Sequence, residues 1–342
     1  MVTQSIKVEL QWWIDNLFQQ KRRISHGNPS IVITCDASIQ GWGSVCENLE
    51  TGGRWSDQEA QNHINFLELL AVSYALKSFY KTTTNSHVQI KSDNTCAISY
   101  IKNMGGKIQN LNSLARQIWL WCCERNIWLS ATHVPGIDNE ADASSRKFND
   151  NTEWMLNDGL FSELADIFGQ PEVELFASRL NKQLPRYVSW KPDPEAEAVD
   201  AFSLNWKGKF IYAFPPFSLI GRLVQKVLLD EAEMVLVAPV WVTQNWYTTV
   251  LEMLIDIPLI IKVSRNTLRI PGLNKIHPLV NKLHLMACHI SGNHSKAEIF
   301  RKSLSKSSWR HGDAPLRSNI HVTSTNGFFS VVKGKVIYFK PL

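Results

Sequence analysis

The sequence has no Cys-x-x-Cys pair: its six cysteines, Cys35, Cys46, Cys96, Cys122, Cys123 and Cys288, lie mostly within apolar runs. That pattern excludes a disulfide framework and a cysteine-based zinc site. It predicts reduced, buried thiols in an intracellular protein, cytoplasmic or nuclear. Long apolar runs are missing too. Residues 251–263 come nearest and are broken by Glu252, Asp256 and Lys262, so no membrane partner is expected, and no signal-like apolar segment follows Met1. Charge is nearly balanced, at +5 over 342 residues, which neither establishes nor excludes a polyanionic partner. There is no internal repeat. What is abundant is apolar and aromatic material: 44% of the chain is hydrophobic, with 13 Trp and 15 Phe. Such a chain can bury large cores, and at this length two domains are expected.

Residues 1–28 read as an amphipathic lead-in helix, with Leu10, Trp13, Ile14 and Leu17 at helical spacing ahead of Lys21-Arg22-Arg23. Residues 29–150 come next as a first domain. Strands are expected over 31–35, 41–46, 53–55, 88–91 and 128–133, and helices over 66–80, 97–104 and 111–124 and from Glu140, which gives a mixed sheet with flanking helices. The polar stretch 147–153 marks a boundary. In residues 151–290 short apolar strands (173–176, 210–214, 234–237, 258–263) alternate with helices (159–168, 220–229, 246–254), around a Pro-rich loop at 185–194. That alternation predicts a parallel, doubly wound, Rossmann-like sheet. Residues 291–342, with Lys296, Arg301, Lys302, Lys306 and Arg310, read as a basic linker or tail.

Four acids stand out. Asp36 ends the apolar run Ile31-Val32-Ile33-Thr34-Cys35, and Asp93 ends Val88-Gln89-Ile90-Lys91-Ser92. A carboxylate at the end of a buried strand is costly unless it is paired or binds a metal. Glu68 interrupts an apolar helical face, Phe66-Leu67-Glu68-Leu69-Leu70, and Asp142 opens the helix after Asn139-Glu140-Ala141. Taken singly, each has an ordinary alternative: a turn or cap for Asp36 and Asp93, a solvated face for Glu68, a helix N-terminus for Asp142.

Taken together they form a pattern. Thr34-Cys35-Asp36-Ala37-Ser38 with Gly41-Trp42-Gly43, then Asn65-Phe66-Leu67-Glu68-Leu69, Ser92-Asp93-Asn94, and His133-Val134-Pro135-Gly136 leading through Asn139 to Ala141-Asp142-Ala143-Ser144-Ser145-Arg146 stand in one order. The segment resembles the ribonuclease H domain of long-terminal-repeat and DIRS-type retrotransposon polyproteins. The resemblance implies that Asp36, Glu68, Asp93 and Asp142 ligate two magnesium ions, with manganese an alternative. It also implies that the RNA strand of an RNA–DNA hybrid is hydrolysed. Magnesium suits carboxylate oxygens, and two ions about 4 Å apart can activate water and stabilise a leaving 3′ oxygen. His133 reads as structural rather than as a product-release histidine, and Lys102, Lys107 and Arg116 are candidates for phosphate contact.

A second resemblance covers residues 171–250. Glu174-Leu175-Phe176-Ala177-Ser178 with Asn181, Asp200-Ala201-Phe202 with Trp206, Ala213-Phe214-Pro215-Pro216-Phe217, and Ala238-Pro239-Val240-Trp241 with Trp246 resemble the phage-type DNA adenine methyltransferase domain that follows ribonuclease H in DIRS-type elements. The resemblance implies a base pocket at Phe214, Pro215, Pro216 and Phe217, and S-adenosylmethionine contacts at Glu174 and Asp200. Phe214 stands where such enzymes carry a polar acceptor for the amine, which implies a degenerate domain without methyl transfer. Gln11-Trp12-Trp13 with Leu17 resembles the connection that follows a reverse transcriptase palm, and His289-Ile290-Ser291-Gly292 with Phe300 the segment ahead of a tyrosine recombinase. The expectation is therefore a polyprotein fragment, or a shortened reading frame, partnered by nucleic acid and by a reverse transcriptase module. Two other functions stay open: a decayed nucleic-acid-binding module without turnover, and a DNA adenine N6-methyltransferase.

Overall fold

The computed structural model describes residues 4–19, 26–150, 153–306 and 329–342. Helix α1 (Gln4–Asn16) leads, its Leu10, Trp13 and Ile14 side chains exposed, and an ion pair from Glu9 to Arg116 at 2.7 Å ties it to the first domain. Arg116 is therefore already paired.

The first sheet contains β1 (Ile31–Ala37), β2 (Gly41–Cys46), β3 (Leu49–Arg54), β4 (His87–Ser92) and β5 (Trp128–His133), in the order β3-β2-β1-β4-β5. Strands β1 to β3 form an antiparallel meander, while β1, β4 and β5 run parallel, as helical connections require. This is the mixed sheet expected from the sequence. One boundary differs. The second hairpin strand begins at Leu49 rather than at residue 53, because Cys46 pairs with Leu49 across a two-residue turn. Glu47 takes the left-handed conformation at the first turn position (φ 53°), where a Gly or Asn would have signalled the turn; the Asn here, Asn48, stands one residue later.

Helices α2 (Ile64–Tyr80), α3 (Thr95–Lys102) and α4 (Gln109–Glu124) close the core. Ile33, Cys35, Leu69, Val72, Ile90, Ile98, Leu114, Ile118 and Leu129 are all buried there. Helix α2 buries nearly every residue from Leu67 to Leu76, Glu68 included. It touches the sheet at β1 and β2 and the helices α3 and α4, which is why its sequence is apolar almost all round. Short helix α5 (Asp142–Arg146) lies on β2 and β3. Glycines make that approach possible: a Cβ on Gly43 would stand 2.5 Å from Ser145 N, and one on Gly52 2.8 Å from Ser144 O.

The second sheet has eight strands in the order β17-β12-β14-β11-β10-β7-β8-β9. These are β7 (Val173–Leu175), β8 (Tyr187–Ser189), β9 (Ala198–Val199), β10 (Phe210–Ala213), β11 (Glu233–Pro239), β12 (Leu259–Lys262), β14 (His284–Ser291) and β17 (Lys340–Pro341). Alternate residues of β10 and β11 feed two cores. Ile211, Ala213, Met234 and Leu236 pack with α7 (Ile220–Asp230) and α8 (Asn245–Glu252), whereas Tyr212, Val235 and Val237 pack with α6 (Asp158–Phe168). The sheet is thus covered on both faces.

It is not, however, wholly parallel. Strand β14 runs antiparallel between β11 and β12, and it was not expected. Its burial is almost continuous, so it lacks the alternation of a half-exposed strand, and histidines punctuate its apolar run. Strand β8, only three residues long, sits inside the expected Pro-rich loop. The segment expected as a linker or tail also carries structure. Helix α9 (His294–Ser303) is capped by Asn293, whose side chain accepts from the N–H groups of Ser295 and Lys296. Strands β15 (Phe329–Val332) and β16 (Lys335–Tyr338) form a hairpin, and β17 joins the second sheet beside β12. Two further short strands, β6 (Met155–Leu156) and β13 (Leu268–Arg269), pair with each other. No helix among the described residues is long and apolar enough to cross a membrane. Lys21-Arg22-Arg23 and Arg310 lie outside the described residues.

Candidate functional site

Three of the four acids converge. Asp36 near the end of β1, Glu68 one turn into α2 and Asp93 after β4 each place a carboxylate oxygen within 4.8 Å of the other two. The parallel pairing of β1 with β4 brings the two strand ends side by side. Asp93 immediately precedes Asn94, whose side chain caps α3 by accepting from Ala97 N at 2.9 Å. Asn94 Nδ2 also donates to Asn65 Oδ1 at 3.2 Å, joining the starts of α3 and α2. The positive ends of both helices therefore lie close to the cluster.

Asp142 is nearby but not in the cluster. Its side chain is 47% exposed and forms an i,i+4 ion pair with Arg146 at 2.7 Å. Two residues to which the sequence pattern assigns no role hold Asp36 instead. Buried Asn139 donates from Nδ2 to Asp36 Oδ1 at 3.0 Å, and buried Ser145 donates from Oγ to Asp36 Oδ2 at 2.5 Å. Both bonds cross more than 100 positions of sequence, so no local pattern signals them.

Electrostatically the cluster is uncomfortable on its own. Burial, reinforced by Asp36 and Asp93, pushes Glu68 up to about 9, against one favourable hydrogen bond from the backbone N–H of Ala37. Burial also raises Asp36, with Asp93 and Asp142 adding to the effect and the Ser145 hydroxyl opposing it. Glu68 Oε2 is buried with no hydrogen-bond partner. An orphaned carboxylate oxygen facing two further acids is the chemistry of a hard divalent cation site, and oxygen-only donors suit magnesium or manganese. The residues present fit such an ion.

His133 is exposed at the end of β5, where it pairs with Ser92 of β4. The loop beyond it runs tightly past Asp93: a Cβ on Gly136 would stand 3.0 Å from Asp93 Oδ2. Lys102 and Lys107 are exposed.

In the second sheet, Phe214, Pro215, Pro216 and Phe217 follow β10 and line one cleft of about 340 Å³ with Trp154, His277, Pro278 and Leu279. The Phe214 and Phe217 rings lie 6.2 Å apart, and Trp241 meets Phe217 edge-on at 5.2 Å. Trp154 and His277, not singled out from the sequence, also line it and meet edge-on at 4.7 Å.

The residues expected at a cofactor do not fit one. Glu174 is buried, and its Oε2 accepts from the backbone N–H groups of Gln183 at 2.5 Å and Leu184 at 3.0 Å. It anchors the 178–184 loop. Burial pushes it up to about 7 despite those bonds. The space between Glu174, Asn181, Tyr212, Phe214 and Trp154 is about 10 Å³, room for one water. Asp200 follows β9, two strands away from β7, is exposed, and caps its own turn by accepting from Phe202 N at 3.0 Å. Neither residue is arranged to hold adenosylmethionine. The protein is accordingly expected to transfer no label from tritiated adenosylmethionine to unmethylated DNA, whether as the parent or as Phe214→Asn. Incorporation by the parent would overturn that expectation.

No family model matches the chain. Over 172 residues it is 27% identical to the enzymatic polyprotein of Cauliflower mosaic virus, strains D/H and Strasbourg alike, covering 42% of this chain and 25% of the polyprotein. The chain thus spans about a quarter of the length of the curated relatives it matches. Among solved structures, it is similar to the N-terminal RNase H domain of rv2228c from Mycobacterium tuberculosis (TM-score 0.29, 14% identity, 34% of this chain and 94% of that one). It is also similar to RNase H1 from Halobacterium salinarum (TM-score 0.27, 18% identity, 33% and 90%) and to LC11-RNase H1 in complex with an RNA/DNA hybrid (TM-score 0.28, 19% identity, 33% and 89%).

Proposed function

We propose that residues 29–150 form a ribonuclease H-type nuclease that cleaves the RNA strand of RNA–DNA hybrids, within a retroelement polyprotein that also supplies a reverse transcriptase. One observation carries the reading: Asp36, Glu68 and Asp93, from three separate elements, meet within 4.8 Å around a buried carboxylate oxygen that has no partner. The motif order in the sequence and the similarity to a viral enzymatic polyprotein support it. Strand β17 pairs with β12, so the second sheet draws on residues beyond the 151–290 range read from the sequence.

Asp36, Glu68, Asp93 and Asp142 are assigned as the ligands of two magnesium or manganese ions. When bound, such ions supply an activated water and charge stabilisation at the leaving 3′ oxygen. Asn139 and Ser145 fix Asp36 so that it enters the site already oriented. Glu68 holds a proton at neutral pH while no cation is present and gives it up when one binds. Asp142 completes the set by leaving Arg146, and an exposed i,i+4 pair of that kind is worth only about 0.3–0.5 kcal/mol.

Incubation of the full chain with a labelled hybrid is expected to yield RNA fragments in magnesium and none with chelator. A second reading, a hybrid-binding module without turnover, is favoured by the outward ion pair of Asp142 with Arg146. Retention of an uncut hybrid in magnesium would select it.

A further inference from the structure

Loops of the second unit meet the first sheet along β3, one of its two edge strands. Arg179, in the loop after β7, reaches across with a side chain only 10% exposed. Its Nη1 donates to Glu59 Oε1 at 2.9 Å, and its Nη2 donates to Glu59 Oε2 at 3.0 Å and to the backbone oxygen of Arg54, the last residue of β3, at 2.9 Å. The guanidinium also lies over the Tyr74 ring of α2, 4.7 Å from its centre. Glu59 is gripped from the other side by the Tyr74 hydroxyl and by Ser56 N at 2.7 Å. Burial would push Glu59 up, but Arg179 and Tyr74 hold its carboxyl below the usual range. A planar, five-donor fork used in this way makes a bidentate joint that a lysine cannot reproduce.

The joint continues toward α5. Arg54 donates to both oxygens of Asp150, at 2.8 and 3.2 Å, and stacks over Phe148 at 4.5 Å; these two residues lie just beyond α5. Thr51 in β3 donates to Pro192 O of the second unit, and Ser144 in α5 donates to Glu50 in β3. Each of these groups touches β3 or the residues just after α5. One further contact crosses between the units, Lys81 Nζ, just beyond α2, donating to Ala196 O at 2.6 Å; among the described residues no hydrogen bond from the second unit reaches β4 or β5.

We propose that Arg179 is a positioning residue: it clamps β3 and, through β3, fixes the seat of α5, the helix that carries Asp142 and Ser145. The second sheet is then a brace for the metal centre. The metal half of this inference rests on the function proposed above, while the mechanical half does not. Two readouts on the full chain keep them apart, using the parent, Arg179→Ala and the milder Arg179→Lys. The first is hydrogen exchange without metal. Peptides covering β3 and α5 are expected to exchange faster in both variants, with β4 and α4 unchanged. Acceleration confined to residues 177–184 would overturn the clamp, and Arg179→Lys judges it if Arg179→Ala does not fold. The second readout is calorimetric titration with magnesium or manganese chloride, where the dissociation constant is expected to rise about tenfold in Arg179→Ala, as for loss of a group that orients a ligand. An unchanged constant alongside faster exchange would overturn the positioning role. If the parent binds neither ion, the metal reading of the carboxylates fails, and exchange at β3 and α5 still decides the clamp.

Discussion

Asp93→Asn is expected to lower the rate of hybrid cleavage by at least about a thousandfold while leaving the fold intact. The substitution keeps the volume and one acceptor oxygen but removes the charge at the point where the β4 end meets the other two acids. Structural damage should be small, because the adjacent helix is capped by Asn94, not by Asp93. Asp142→Asn is the informative contrast. Asp142 already has a cationic partner and lies outside the three-acid cluster, so its loss should cost less. Single-turnover rates beside melting curves measure both effects. An Asp93→Asn protein that cuts within tenfold of the parent would remove Asp93 from the ligand set.

The architecture of the first sheet was largely legible, and for a physical reason. Two of its apolar runs, 31–35 and 88–92, end in an acid, and α2 announces itself by an apolar run too long for a strand. The convergence of Asp36 and Asp93 followed from two apolar runs each ending in Asp, since neighbouring parallel strands that end together present their terminal side chains side by side. What could not be read is the state of Asp142. It pairs with Arg146 rather than joining the three-acid cluster, a side-chain orientation of which spacing carries no trace. The Asn139 and Ser145 bonds to Asp36 cross more than 100 positions of sequence, beyond the reach of local pattern. In the second sheet, β14 escaped notice because His284 and His289 break its apolar run, and burial on both faces leaves it no alternation to fall back on, whereas β11, equally buried, reads as an unbroken run. The same limit hid the role of Glu174. An acid near the end of a buried strand looks alike in sequence whether it faces a ligand or caps a loop, and here two backbone N–H groups take it.

Glu68→Gln is expected to be more stable than the parent at pH 8 without divalent metal, by at least about 4 °C in melting temperature. The sign comes from linkage. An unfolded Glu68 titrates near 4.5, whereas burial beside Asp36 and Asp93 moves the folded group to about 9. Between those values the native chain holds a proton that the unfolded chain has released, so stability is fully present below about 4.5 and is lost as pH rises toward 9. Glutamine imitates the neutral carboxyl at every pH. Its oxygen can still accept from Ala37 N, and its amide can donate toward the Asp36 and Asp93 oxygens, replacing the orphaned Oε2. Asp36 and Glu174 are also raised by burial and give slopes of the same sign, so the decisive quantity is the parent-minus-variant difference as a function of pH. Magnesium should reverse the order. The parent then gains stability by binding, increasingly at higher pH as the Glu68 proton becomes easier to displace, and the variant gains little. Thermal melts from pH 5 to 9, with magnesium and with chelator, measure all of this. Parallel pH slopes for the two proteins, or equal stabilisation by magnesium, would show that Glu68 is neither the strained acid nor a metal ligand.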